Sequence, residues 1–334
     1  MKVGLTLPNR GVLIGVTTVP EMLEMAELAE QSGLFQSLWV GDSLLAKPRL
    51  ESVTLLAAIA GRTRTLRIGP ACMASFPLRD PVLLAYQWAS LDLIAGGRTV
   101  LVACTGIVEQ DGGKVEAELY RVAPKDRVGR LVEWIKILKL LWTEDDVSFV
   151  GDHYRFEHVT IDPKPAAKPR PPIWIANNAR GDRTVIERTH RRVALHADGW
   201  QTSISDYDDM RWRISDIRAK AVEAGRDPNS IEMHLYHNVN VQPDRSAALE
   251  ESKRFLDAYY MMAYAPERVA SWTAAGTPAE CVEHLVEYAR MGIDEVTLRC
   301  TSWDQMGQLR LVIEEVLPRL NEALREVKPP YRSM

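Results

Sequence analysis

Short apolar stretches alternate with amphipathic ones along almost the whole chain, and no other feature restricts the fold as much. Eight stretches read as strands: Lys2 to Leu7, Ser37 to Val40, Leu66 to Met73, Thr99 to Cys104, Ile173 to Ala176, Gly199 to Thr202, Ile231 to Val241 and Glu295 to Arg299. They are apolar on both faces, which marks parallel strands covered on both sides. Between them the apolar period becomes that of a helix. In Val19 to Ser32, for example, Met22, Met25, Ala26, Leu28 and Ala29 share one face, and Gly33 ends the run. Pro81 opens another helix, where its missing N–H is harmless, and Gly96-Gly97 closes it.

Eight such units predict a (β/α)8 TIM barrel, read as one domain over residues 1–330. A doubly wound sheet would need a glycine-rich turn after the first strand, which Pro8-Asn9-Arg10-Gly11 does not supply. Two stretches break the rhythm, about 105–126 and 242–276, and are expected to be inserted lid segments. Val147 to Phe156 reads as a hairpin around Gly151-Asp152.

Composition serves mainly to exclude. The 334 residues carry 41 Lys and Arg against 45 Asp and Glu, a net charge of −4. A general nucleic-acid binder needs a basic face instead. The apolar runs are too short to span a bilayer, and the N-terminus lacks the long apolar stretch of a signal peptide. Four widely spaced cysteines suggest neither a disulfide framework nor a zinc site, and seven histidines show no metal-ligand spacing. A soluble cytoplasmic protein with reduced thiols and no metal is the expectation.

In a barrel of this kind, function sits where the strands end. Those ends carry Asp42, the cysteines Cys72, Cys104 and Cys300, and the turn Asn177-Asn178-Ala179-Arg180-Gly181. That turn, between a strand and a helix, suits a phosphate cradle: backbone N–H groups and the positive end of the helix dipole point outward there. The plain alternative is an ordinary turn, with Asp182 capping the helix itself. An acid at Asp42 has two readings, a bond to substrate or cofactor and a loop cap. His234 and His237 lie on the seventh strand, where one can face the mouth or both can be hydrogen-bonded core. The run Tyr259-Tyr260-Met261-Met262, with Tyr264, reads as packing or as a pocket wall.

Several stretches, in order, resemble the bacterial luciferase-like family of flavin-dependent oxidoreductases. The fullest is Phe76-Pro77-Leu78-Arg79-Asp80-Pro81, followed by Ser90-Leu91-Asp92 and Gly96-Gly97-Arg98. Leu38-Trp39-Val40-Gly41-Asp42, Pro172-Ile173-Trp174-Ile175, Ala197-Asp198-Gly199-Trp200 and Gly276-Thr277-Pro278-Ala279-Glu280 continue it. The resemblance implies a barrel that is usually dimeric, using reduced FMN and dioxygen on a small organic substrate, with a separate flavin reductase as a candidate partner. A branch of the family uses the deazaflavin coenzyme F420 for hydride transfer. A non-catalytic flavin-binding protein is a third reading.

The resemblance also implies site residues. A non-proline cis peptide should fall within Ala71 to Ser75, with Ala74 and Ser75 beside the cofactor ring. Cys104 matches a family cysteine, while Thr105 replaces a phosphate-binding arginine. Arg180, with Asn177, Asn178, Ala179 and Gly181, would then supply the phosphate site. Trp200 and Thr202 would be cofactor neighbours. The family commonly has a histidine just after the second strand; Asp42-Ser43 stands there instead. Asp42, His237 and Glu109 are therefore the acid–base candidates.

Overall fold

The structure, a computed structural model, describes residues 1–106 and 111–327. Its strands are β1 (Lys2–Leu7), β2 (Ser37–Val40), β3 (Arg67–Pro70), β4 (Leu101–Ala103), β5 (Val147–Val150), β6 (Arg155–Val159), β7 (Ile173–Ala176), β8 (Gly199–Thr202), β9 (Glu232–Val241), β10 (Thr273–Gly276) and β11 (Glu295–Cys300). Eight of them run parallel in the order β3-β2-β1-β11-β9-β8-β7-β4. Parallel bridges from Ile68 to Thr99 and from Met73 to Ala103 bring the two end strands together, so the barrel is nearly closed. β5 and β6 form the expected hairpin outside it.

The helices that matter for the site are α1 (Val19–Ser32), α2 (Ser52–Arg62), α3 (Pro81–Ile94), α4 (Asp111–Leu119), α5 (Arg127–Thr143), α6 (Arg183–His196), α7 (Tyr207–Glu223), α8 (Arg245–Tyr260), α9 (Pro266–Ser271) and α10 (Pro278–Met291). Local chemistry sets their ends. Thr18 and Glu21 form a capping box at the start of α1, and Gly33 ends it at φ 66°, a conformation other residues adopt at a cost. Thr277 and Glu280 repeat the box on α10. No helix among the described residues is long and apolar enough to cross a membrane.

One expectation needs correcting. The stretch 242–276 is not a lid throughout. It holds α8 and α9, and its last residues form β10, which pairs with the second half of β9 from Asn238 to Val241. The first half of β9 pairs with β8, so β10 continues the barrel wall above β8. Thr-Ala-Ala-Gly offers little β propensity, and only this pairing makes it a strand.

The barrel interior is filled from below. Trp39, Trp174 and His234 pack against one another, with ring centroids 4.8 to 5.4 Å apart. Ser37 and the Trp39 indole N–H both bond the Glu295 carboxylate. Arg67 joins Glu295 to Glu232. Burial opposes the charge on Glu295, yet His234, Arg67 and Ser37 outweigh it and pull its pKa down to about 2. Above this layer Thr6 and Thr297 share a hydrogen bond. The interior then opens into a cavity at the strands' C-terminal ends.

Candidate active site

The cavity has a volume of about 650 Å³. Its floor is the end of β3 and β4. The peptide between Ala71 and Cys72 is cis, within the five residues where it was expected. Cys72, Ala74, Cys104 and Thr105 all line the space. The Cys104 side chain and burial push the Cys72 thiol well up, so Cys72 is a packing residue and not a nucleophile. Gly106, at φ 75°, closes the floor: a Cβ there would stand 2.3 Å from the Ala74 carbonyl oxygen. Ser75 lies underneath, out of the lining, where its backbone N–H donates to Asp42 at 2.7 Å.

Asp42 borders the cavity as a brace. Its carboxylate accepts from the Ser52 hydroxyl at 2.7 Å, from the Ser75 N–H and from Arg79 at 3.3 Å. Those bonds tie β2 to α2 and to the loop after β3. The acid–base role expected for Asp42 is set aside on this geometry, since its oxygens are taken up by Ser52, Ser75 and Arg79. His237 is corrected more firmly. Its ring points outward from β9, stacked on His284 with ring nitrogens 2.9 Å apart and edge-on to Tyr288, both on α10. Burial and His284 lower its pKa well below the ordinary value, so it is a neutral core histidine. The residue before it, Tyr236, is the one that faces the cavity. Glu109 lies outside the described residues.

The turn after β7 divides. Asn177, Asn178 and Ala179 line the cavity, whereas Arg180 and Gly181 are exposed and outside the lining. Asp182 caps α6 itself by accepting from Thr184 N–H at 2.7 Å. An acid in that position disfavours an anion at the helix start, so the plain alternative for the cap is the one observed. The positive charge sits further along α6. Arg188 and Arg192 line the cavity together with Val185 and Thr189, a spacing that puts all four on one helix face. Neither arginine has a carboxylate partner among the described residues. Thr189 donates to Asn177 at 3.2 Å, and the Asn177 amide nitrogen has no partner among the described residues. Thr202 is in the lining and bonds Asn178 at 2.9 Å. Trp200 faces the other way, toward His190 on α6. Trp200 is therefore also a correction: it packs in the outer layer.

On the opposite wall the sequence offered Tyr260 and Tyr264 as a candidate lining, and missed the cations. Lys47 and Arg49 reach it from the loop after β2, Arg299 from β11, and Tyr236, Tyr260 and Trp272 complete it. Only Asp42 among the described lining residues carries negative charge, against Lys47, Arg49, Arg188, Arg192 and Arg299. Such a wall attracts anions, and the flank at Arg188 and Arg192, with an unpartnered amide beside it, fits a phosphate-bearing cofactor.

Residues 1–295 match the model of the luciferase-like monooxygenase family, and the chain belongs to that family. It is an oxidoreductase family of enzymes, and both FMN and F420 serve in it. The F420-dependent glucose-6-phosphate dehydrogenase of Amycolatopsis mediterranei is 25% identical over 336 residues, covering 90% of this chain and 94% of that protein. The FMNH(2)-dependent dimethylsulfone monooxygenase of Pseudomonas putida is 29% identical over 205 residues, covering 60% and 53%. The solved structure of an F420-dependent secondary alcohol dehydrogenase superposes with a TM-score of 0.80 at 18% identity, covering 96% of this chain and 98% of that one. The last likeness is one of fold.

Proposed function

We propose that the chain is a deazaflavin-dependent oxidoreductase, exchanging a hydride between coenzyme F420 and a small organic substrate at the barrel mouth. The observation that carries this reading is the unpaired charge of Arg188 and Arg192 on the cavity face of α6. The deazaflavin has a longer and more anionic tail than FMN, so it gains more from such a flank. The cavity runs outward here between α5, through Val128 and Leu131, and α6, through Val185, leaving a path for that tail. The relatives matched over 90% of this chain are named for F420, which supports the same reading.

When bound, the deazaflavin supplies a two-electron hydride donor or acceptor. The chain's own residues do the rest. Asn177, Asn178, Arg188 and Arg192 hold the anionic tail. Ala74, Cys104 and Thr105 would bear on its ring system, and Asp42 fixes their floor through Ser75. Tyr236, Tyr260 and Trp272 wall the substrate side and exclude water.

Oxygenation by reduced FMN and dioxygen is the second reading, and one observation favours it. No histidine lines the cavity among the described residues, and the Asp42 carboxylate is spent as a brace. Hydride abstraction from an alcohol would have to find its base elsewhere. Titration of the purified protein with F420 and with FMN, each oxidised and reduced, separates the two. Binding of F420 at least about tenfold tighter than FMN is expected; the reverse order would overturn the deazaflavin reading.

A further inference from the structure

The positive charge around the cavity falls into two groups on opposite sides of the barrel. In the circular strand order β7 stands diametrically across from β1, so the α6 flank faces the wall built from the β1, β2 and β11 ends. One anionic cofactor tail cannot neutralise both. We infer that Arg299, Lys47 and Arg49 form a second, separate anion site, which takes an oxyanion group carried by the substrate. This rests on the reading above, in that the α6 flank is taken up by the cofactor.

Arg299 is the centre of it. The residue is 1% exposed, makes no ion pair among the described residues, and its Nε has no partner there. Its nearest neighbours are three phenol rings: the guanidinium carbon lies 4.2 Å from the Tyr259 centroid, 4.9 Å from Tyr236 and 5.2 Å from Tyr260. One N–H donates to the Tyr260 hydroxyl at 2.5 Å. Rings soften the burial of a guanidinium but do not neutralise it. A buried charge with no counter-ion in a cavity wall is a place where a ligand's charge is missing.

Lys47 and Arg49 converge on the same rings. Lys47 Nζ stands 4.9 Å from the Tyr260 centroid, and the Arg49 guanidinium carbon 5.7 Å from that of Tyr259. Neither has a carboxylate partner among the described residues. Their loop's backbone is pinned, which roots both side chains beside the rings. The Glu116 carboxylate on α4 accepts from the N–H groups of Leu45 and Ala46 at 2.8 and 3.0 Å. Ser43 accepts from Lys47 N–H, Asn9 donates to the Leu50 carbonyl, and Arg10 donates to that of Pro48. Burial, then Arg49 and Arg10, drive the Lys47 pKa down to about 8. An anion among these side chains would relieve that repulsion. Asp42 cannot do so, because its oxygens point at Ser52, Ser75 and Arg79.

The test uses inorganic sulfate and inorganic phosphate as probes on the full chain without cofactor, at matched ionic strength against chloride. A ligand that binds only the folded state raises the melting temperature. Both oxyanions should raise it in the wild type and still raise it in an R188M/R192M variant, where only the second site remains, and adding K47M, R49M or R299M to that variant should remove most of the remaining shift. The sulfate shift should fade as pH rises through about 8, as Lys47, surrounded by Arg49, Arg10, Tyr260 and Met262, loses its proton. If R299M does not fold, K47M and R49M on the surface loop carry the comparison. F420 affinity, read by fluorescence, should stay within about twofold of the wild type in K47M, R49M and R299M. Three results would overturn the site. One is no shift in the wild type. Another is a shift lost in R188M/R192M but kept in K47M and R299M. The third is a loss of F420 affinity in K47M and R299M as large as in R188M/R192M, which assigns these cations to the cofactor tail. Should neither F420 nor FMN bind at all, the functional reading fails while the sulfate pattern still decides the anion site.

Discussion

The two mouths of the barrel hold cavities of similar size, about 650 Å³ above and about 580 Å³ below, and treat charge in opposite ways. At the lower mouth Lys2, Asp198 and Glu232, three of the charged residues in the wall, sit in ion pairs. Lys2 and Arg67 meet Glu232 at 3.4 and 2.7 Å, Arg67 also meets Glu295, and Arg170 meets Asp198 at 2.7 Å. At the upper mouth five cations line the space and none has an ion-pair partner among the described residues. Size therefore does not separate a functional cavity from a structural one in this molecule. Uncompensated charge does at Lys47 and Arg299, the two buried cations of the upper mouth, because folding alone has no reason to bury a cation without a counter-charge. The same division is expected of barrels in general, with the N-terminal face serving stability and the C-terminal face serving function.

The largest effect should come from unpairing the lower mouth. Glu295→Gln leaves Arg67 and His234 without their buried carboxylate and should cost about 3–5 kcal/mol in chemical denaturation. The pH dependence follows from the sign. Glu295 has a folded-state pKa of about 2 against an ordinary 4.5, so its stabilisation is complete above 4.5 and disappears as the pH falls from there toward 2. The wild type should lose stability across that window, and E295Q should show a flatter curve. An unchanged midpoint in E295Q would erase the distinction between the two mouths.

Next in size is the cofactor flank. Replacing Arg188 and Arg192 with methionine removes two charge-assisted contacts and should weaken F420 binding by roughly tenfold to a hundredfold. The denaturation midpoint should hardly move, since no ion pair is lost. A fall in stability comparable to that of E295Q would mean these arginines are structural after all.

The smallest effect is the most diagnostic. Lys47→Met should leave the fold as stable or raise its stability by about 1 kcal/mol at neutral pH. The sign again is fixed. Lys47 in the folded chain loses its proton near 8, but the unfolded chain keeps it up to about 10.5, so the unfolded state binds more protons between those values. Wild-type stability should therefore rise relative to K47M as pH increases through that window. Thermal melts of both proteins across the range would show it, and parallel curves would remove Lys47 from the set of strained cations.

Much of this frame was legible beforehand. Four strands, at Lys2–Leu7, Ser37–Val40, Ile173–Ala176 and Gly199–Thr202, were read to the residue, because each is a short, mainly uncharged segment set between helical periods and turn residues. The floor at Ala74, Cys104 and Thr105 followed from strand ends and family resemblance. β10 was not legible, since Thr273 to Gly276 becomes a strand only through its pairing with β9.

The site charges were harder still, for a reason of parity and rotation. The sequence alone establishes that Tyr236 and His237 point to opposite sides of one strand, because side chains alternate with period 2. Which of them enters the barrel depends on the register of β9 against β11 and on the packing of α10, and a shift of one residue would exchange their roles. In the same way the spacing of Val185, Arg188, Thr189 and Arg192 places them on one helix face, while the docking of α6 decides that this face meets the cavity. Composition and periodicity thus determine a parallel barrel with its chemistry at the strand ends. Only the tertiary structure decides which cations are left without partners there, since pairing depends on distances between segments up to about 250 residues apart, such as Lys47 and Arg299.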